Sequence, residues 1–211
     1  MMVESKQRNK RLRLLIKELN KERKKQAKKI DILCNDLITA QSDLIRSLHT
    51  ISFTANFYKS IIGSTDLSRI LNIAGRLLRD EIADASVIFF LRQTNGFETH
   101  AYKSNKPEDI ENERLKSCFN AELVENICKA NKLCTLEDMF ALGLQGNLVG
   151  LKKMSAFAIP LGELGQVLGF VLVHRLSKNQ FTKEQMDIVC AITCGLSRAI
   201  RSCQMSLRSA D

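Results

Sequence analysis

The chain opens with apolar positions that recur alternately three and four residues apart. One seam position is Ile16, Arg23, Ile30, Leu37, Leu44 and Ile51; the other is Leu12, Leu19, Gln26, Leu33, Ala40 and Ser47. No Pro or Gly interrupts the stretch from Met1 to Ile62. A 3–4 repeat sustained this long predicts a single helix that pairs as a coiled coil. β-branched Ile at the first position with Leu at the second favours a parallel two-stranded form. Arg23 and Gln26 are polar breaks that weaken one heptad and help to fix register. At 1.5 Å per residue such a rod extends on the order of 80–90 Å, too long to fold back on one small domain.

Gly63-Ser64-Thr65-Asp66 breaks this pattern and starts the next helix, with Ser64 or Thr65 as cap and Asp66 at the positive helix end. Leu67, Ile70, Leu71, Ala74, Leu77 and Leu78 follow as an amphipathic stripe. From Ala85 the texture changes. Ala85–Arg92 is apolar on both faces and reads as a central strand, Asn95-Gly96 as a hairpin turn, and Phe97–Lys103 as the returning strand. A polar, less regular segment runs from Pro107 to about Leu151, holding a helix from Ala121 to Lys132 capped by Asn120 and a short strand at Leu133–Leu136. Ser155–Leu161 turns through Gly162-Glu163-Leu164-Gly165 into Gln166–His174, again apolar on both faces. Thr182 and Gln185 form a capping box that opens a last helix to about Ser206, with the seam Val189, Ile192, Leu196, Ala199 and Cys203.

Charge sharpens the division into two parts. Residues 1–30 hold twelve Lys and Arg against three Glu, which accounts for the whole net charge of +9 over 211 residues. The body is electrically balanced and the arm strongly basic, a pattern that attracts nucleic acid, anionic membrane or an acidic protein face. Seven cysteines without framework spacing, no signal-peptide core and no apolar run long enough for a membrane span point to a cytosolic chain with reduced thiols. Cys190 and Cys194 share a helix face, but no zinc pattern is complete. The expected division is a basic coiled-coil helix over residues 1–51 and a globular domain over 52–208.

The element order predicts an α+β three-layer sandwich, a mainly antiparallel sheet covered by helices. Three stretches resemble a GAF domain: Asp66-Leu67-Ser68-Arg69-Ile70-Leu71, Ala85–Leu91, and Ile159–His174 followed by Asn179-Gln180-Phe181-Thr182-Lys183-Glu184-Gln185. The resemblance covers about Ser52 to Ser206; PAS domains share the sheet but usually lack the terminal helix. It implies a ligand pocket between the sheet and the irregular segment, dimerisation through the first and last helices, and a signalling role beside an output partner. The family's cyclic-nucleotide set, Asn-Lys-x-Phe-Asp-Glu, is absent, since Asn179-Gln180-Phe181 does not reproduce it. The cysteine setting of its bilin-binding members is absent too. No cofactor is therefore assigned.

Candidate pocket residues are Phe90, His100, Tyr102, Met139, Phe140 and Phe157. The His100 imidazole, which can donate or accept, suits a ligand's polar group. Phe89 and Phe90 face opposite sides of their strand, so one of them reaches the pocket, and Phe90 is the candidate. Dimerisation is assigned to Leu12, Ile16, Leu19, Ile30, Leu33, Leu37 and Leu44 on the first helix and to Val189, Ile192 and Leu196 on the last. The reading that follows is a non-catalytic cytosolic homodimer, a small-molecule sensor or dimerisation scaffold with a protein partner in a signalling pathway. Two alternatives stand beside it. Some GAF-like proteins reduce free methionine sulfoxide with pocket-side cysteines, and Cys118, Cys128 and Cys134 fall in that region. A basic stretch before a zipper also resembles basic-zipper proteins, but the seam already starts at Leu12 within the basic residues, so specific DNA binding is not expected.

Overall fold

Helix α1 runs from Met2 to Ile61, as the uninterrupted repeat demands. The computed structural model describes residues 2–93, 96–102, 115–146, 153–163, 166–176 and 179–208. Asn95, Lys103, Leu164 and Gly165, which the sequence places in turns or at a strand end, lie outside them. The chain divides into two compact units, Met1–His49 and Thr50–Asp211.

In the first unit every described side chain from Lys6 to His49 is exposed. That includes the apolar seam: Leu19 and Leu33 are both 66% exposed, and Leu12, Ile16, Ile30, Leu37 and Leu44 are similarly open.

In the second unit the last turns of α1 bury Phe53, Phe57 and Ile61. Helix α2 spans Leu67–Glu81. Of the three adjacent capping candidates it is Asp66 that sits at the N-cap, its carboxylate accepting from the Ser68 amide at 3.0 Å, and not Ser64 or Thr65. Strands β1 (Ser86–Gln93) and β2 (Gly96–Ala101) follow. Next come α3 (Ala121–Ala130), capped by Asn120 as expected, the two-residue strand β3 (Cys134–Thr135), and α4 (Leu136–Ala141). Helix α4 is not apparent from periodicity, but Thr135 and Asp138 close a capping box at its start. Strands β4 (Ser155–Glu163) and β5 (Gln166–Arg175) lead to α5 (Lys183–Arg208), opened by the reciprocal bonds of Thr182 and Gln185.

The five strands pair antiparallel throughout in the order β2-β1-β5-β4-β3. The two stretches apolar on both faces, β1 and β5, pair with each other inside the sheet, which is why neither needed a polar face. Val87, Phe89, Leu91, Phe157, Ile159, Val171 and Val173 face the end of α1, α2 and α5. Ile88, Phe90, Ala156, Ala158, Phe170 and Leu172 face α3 and α4. The result is the expected three-layer α+β sandwich.

Helix α5 corrects one expectation. Val189, Ile192 and Leu196 are fully buried within a single chain, packed on the sheet, α2 and the end of α1. A stripe already satisfied this way has no apolar area left for a second copy, so these three do not form a dimer seam. Ser197 is buried beside them for a definite reason. The ladder between β4 and β5 shifts register at Leu161/Gly162, and the Gly162 amide donates to Ser197 Oγ at 3.0 Å. The same hydroxyl donates to the Thr193 carbonyl at 2.7 Å, so its polar capacity is used inside the core.

Candidate functional site between α2 and β2

Strand β2 is an edge strand, and its alternation sets the site. Pairing places His100 opposite Phe89 and Thr99 opposite Phe90. His100 therefore shares the α2-facing side of the sheet with Phe89, while Thr99 and Ala101 sit on the other. Tyr102, whose amide donates to the Val87 carbonyl at 3.2 Å, extends that α2-facing row. Helix α2 crosses close over it at Gly75: a Cβ there would stand 2.6 Å from Tyr102 Cβ and 2.9 Å from its Cγ. The close contact at Gly75 leaves the earlier turns of α2 separated from the strand.

A cavity of about 480 Å³ occupies that gap, lined by Ser68, Leu71 and Asn72 of α2, by Phe89, and by Thr99, His100, Ala101, Tyr102 and Lys116. A second space of similar size continues past Ser68, Asn72 and Tyr102 to Arg69 and Arg76. The lining joins an apolar floor, Leu71 and Phe89, to a ring of hydroxyl, amide, imidazole and ammonium groups, a composition that orients small polar ligands. His100 Nε2 lies 3.1 Å from Glu98 Oε1, yet without the alignment a hydrogen bond needs, and among the described residues the buried nitrogen has no hydrogen-bond partner. A buried imidazole nitrogen left so is costly and is relieved by any group that bonds it.

Of the six residues proposed from sequence for a pocket, the structure brings His100 and Tyr102 together and places the other four elsewhere. Phe90 points to the opposite layer, stacked on Phe170 with centroids 4.6 Å apart and 5.1 Å from Phe119. Its neighbour Phe89 is the one that reaches the cavity. Phe157 packs edge-on against Phe181 at 4.8 Å, under α5. Met139 is fully buried in the α3–α4 layer, and Phe140 packs against that layer half-exposed. Sequence reasoning missed Ser68, Asn72, Thr99 and Lys116. The spacing of Ser68 and Asn72 puts both on one face of α2, but nothing local says that this face crosses β2.

The thiols are differently placed. Burial, then the nearby Glu125 carboxylate, pushes Cys128 up to about 11 despite Arg92. Cys134 is raised by burial and by Asp138, against Lys132. Both are protonated at neutral pH, the opposite of an activated nucleophile. Cys118 is half-exposed. Among the described residues no three His, Cys, Asp or Glu side chains are grouped to hold a metal ion, and no helix is long and apolar enough to cross a membrane.

The segment Asn179-Gln180-Phe181 is a structural clamp. The Arg175 guanidinium donates to the carbonyls of Asn179 at 3.0 Å and Gln180 at 2.9 Å while lying 4.3 Å over the Phe181 ring.

No family model matches the sequence, and no curated protein matches it either. Solved structures do. The GAF domain of a phosphoenolpyruvate-protein phosphotransferase from Coxiella burnetii aligns with a TM-score of 0.58 at 17% identity, over 75% of this chain and 96% of that one. The GAF domain of an Acinetobacter phosphoenolpyruvate-protein phosphotransferase aligns at 0.57 and 16%, over 76% and 98%. The fRMsr protein of Staphylococcus aureus, solved with its substrate, aligns at 0.51 and 11%, over 72% and 95%. At such identities the likeness speaks for architecture, and on that ground the chain carries a GAF-domain fold.

Proposed function

We propose that the chain is a non-catalytic regulatory protein in which the GAF-fold unit senses a small polar ligand, or serves as a scaffold, and α1 pairs two copies in parallel. The observation that carries the pairing is the exposed seam of α1. Leu12, Ile16, Leu19, Ile30, Leu33, Leu37 and Leu44 keep 3–4 spacing yet are all exposed in the single chain. The stripes of α2 and α5 are buried. An apolar stripe of that length in water is stabilised by a second copy.

Sensing is supported by the α2–β2 cavity. A ligand accepting from Asn72, His100 or Tyr102 favours one spacing of α2 over β2. Helix α2 packs on α5 and shares its core with the end of α1, so that spacing is felt where the dimer helix leaves the domain. The ligand acts only through unequal affinity for the two spacings. All seven cysteines are unbridged, which suits a reducing cytosol.

Native mass spectrometry of freshly purified protein tests both halves together. The expected result is two chains, with a retained small molecule that Asn72→Leu and His100→Leu release. A single chain at micromolar concentration overturns the pairing, and an identical ligand load in both variants overturns the site. The reductase alternative rests on the likeness to fRMsr and on Cys118, and it requires turnover of methionine sulfoxide that Cys118→Ala abolishes.

A further inference from the structure

Within the first unit, the basic residues are not spread evenly around α1. At about 100° per residue, Lys6, Lys10, Arg13, Lys17, Lys21, Lys24 and Lys28 fall in one narrow strip, each three or four residues from the last. The strip is about 33 Å long, with a positive charge every 5–6 Å or so. All seven side chains are exposed. Glu18 and Glu22 lie off the strip, and Glu22 is taken by Lys25 at 3.0 Å. Like charges at these spacings repel, so a ladder without interleaved carboxylates disfavours the free helix.

We infer that this ridge is a binding site for the phosphate backbone of double-stranded nucleic acid, read without regard to base sequence. Seven exposed cations in one row, with no carboxylate among them, supply the dense positive charge that a duplex's phosphates neutralise, and a row of about 33 Å is long enough to meet several of them at once. The ridge lies on the side of α1 away from Leu12, Leu15, Ile16 and Leu19. A helix made for an anionic membrane sets its cations at the borders of the apolar face, so that both reach the interface, and commonly carries aromatic residues there. Here the seven-residue ridge points away from that face, with Arg8, Arg11, Arg23 and Lys29 on the apolar side and Leu14 at the ridge's border, and the first aromatic residue is Phe53. The inference needs only a helical α1 and holds whether or not two copies pair.

The test uses the full chain, a labelled 30-base-pair duplex in two unrelated sequences, and vesicles of phosphatidylcholine with 30% phosphatidylserine. Anisotropy is followed from 50 to 200 mM salt. The two duplexes bind equally, and log K falls against log salt with a slope of about −5, near 0.9 per phosphate contacted. Replacing Lys10, Lys17 and Lys24 together by Gln lowers affinity at least tenfold at 100 mM salt and flattens the slope by about 3. Replacing Arg8, Arg11 and Lys29 by Gln, off the ridge, lowers affinity less than threefold. Circular dichroism verifies that helix content is unchanged in both. Equal losses in the two variants, a slope shallower than about −2, or binding to vesicles without binding to duplex overturns the inference.

Discussion

The ring of Tyr58, on the last turns of α1, lies directly on the backbone of Gly195 in α5. A Cβ at 195 would stand 2.6 Å from both Tyr58 Cζ and Oη, and closer still to Cε1. Glycine inside a helix costs about 1 kcal/mol relative to alanine, and here it lets two helices approach through an aromatic ring. In Gly195→Ala the ring must swing away, so we expect a loss of about 1–2 kcal/mol in chemical denaturation. With Tyr58→Ser already present the same change becomes stabilising by about 0.5–1 kcal/mol, because only the helix preference remains. A double-mutant cycle reads this reversal of sign; equal effects in both backgrounds refute the contact.

Gly75 meets a stiffer obstacle. The neighbouring atoms are Tyr102 Cβ and Cγ, at 2.6 and 2.9 Å, close to the strand backbone and unable to rotate away. Gly75→Ala therefore pushes α2 off β2 and costs about 2–3 kcal/mol, more than Gly195→Ala. The same displacement reshapes the cavity, so any ligand retained by the wild type is lost even where the variant remains folded by circular dichroism.

His174 makes the fold sensitive to acid. It is buried on β5 opposite Ser86 and Ala156, and among the described residues neither ring nitrogen has a hydrogen-bond partner. Burial lowers its pKa from 6.5 to about 4. The unfolded chain binds the proton that the folded chain refuses, so stability is full above pH 6.5 and declines as pH falls toward 4. It levels off below that. The loss is about 2 kcal/mol by pH 5 and roughly 3 kcal/mol across the window. His174→Leu should remove this part of the difference between urea midpoints at pH 7 and pH 5. Parallel pH dependence in the two proteins argues against it.

Thiol reactivity separates the cysteines. Cys34, Cys190 and Cys194 are exposed, whereas Cys128, Cys134 and Cys203 are buried. Burial holds Cys128, Cys134 and Cys203 in the protonated form. A chromogenic disulfide should titrate Cys34 and Cys194 within seconds to minutes, Cys190 more slowly because burial and Asp187 raise its thiol, and reach the buried three only on unfolding. Rapid labelling of Cys128 or Cys134 in native protein would revive the reductase alternative.

What sequence could tell follows from the range of each interaction. The N-cap Asn120 and the Thr182–Gln185 box are bonds across three residues, and they are visible as spacing. The inner strands announce themselves because both faces are apolar. At the start of α2, three adjacent residues can cap, and a choice that turns on one residue's step is not written in periodicity; Asp66 prevails by reaching the Ser68 amide. The stripe Val189, Ile192 and Leu196 is plain, but not whether its partner is the same chain or another. The cavity is least legible. Phe89 and Phe90 alternate identically until α2 is laid over one face, and Ser68 and Asn72 meet His100 only through that crossing.

The short strand β3 has a further consequence. Two residues, Cys134 and Thr135, close one border of the sheet and run at once into the capped turn of α4. On β3 itself an arriving strand finds only two residues to extend. At the other border β2 displays Glu98 and Thr99 outward, a charged and hydrated rim. Strand addition therefore meets a two-residue stub at one border and a charged rim at the other.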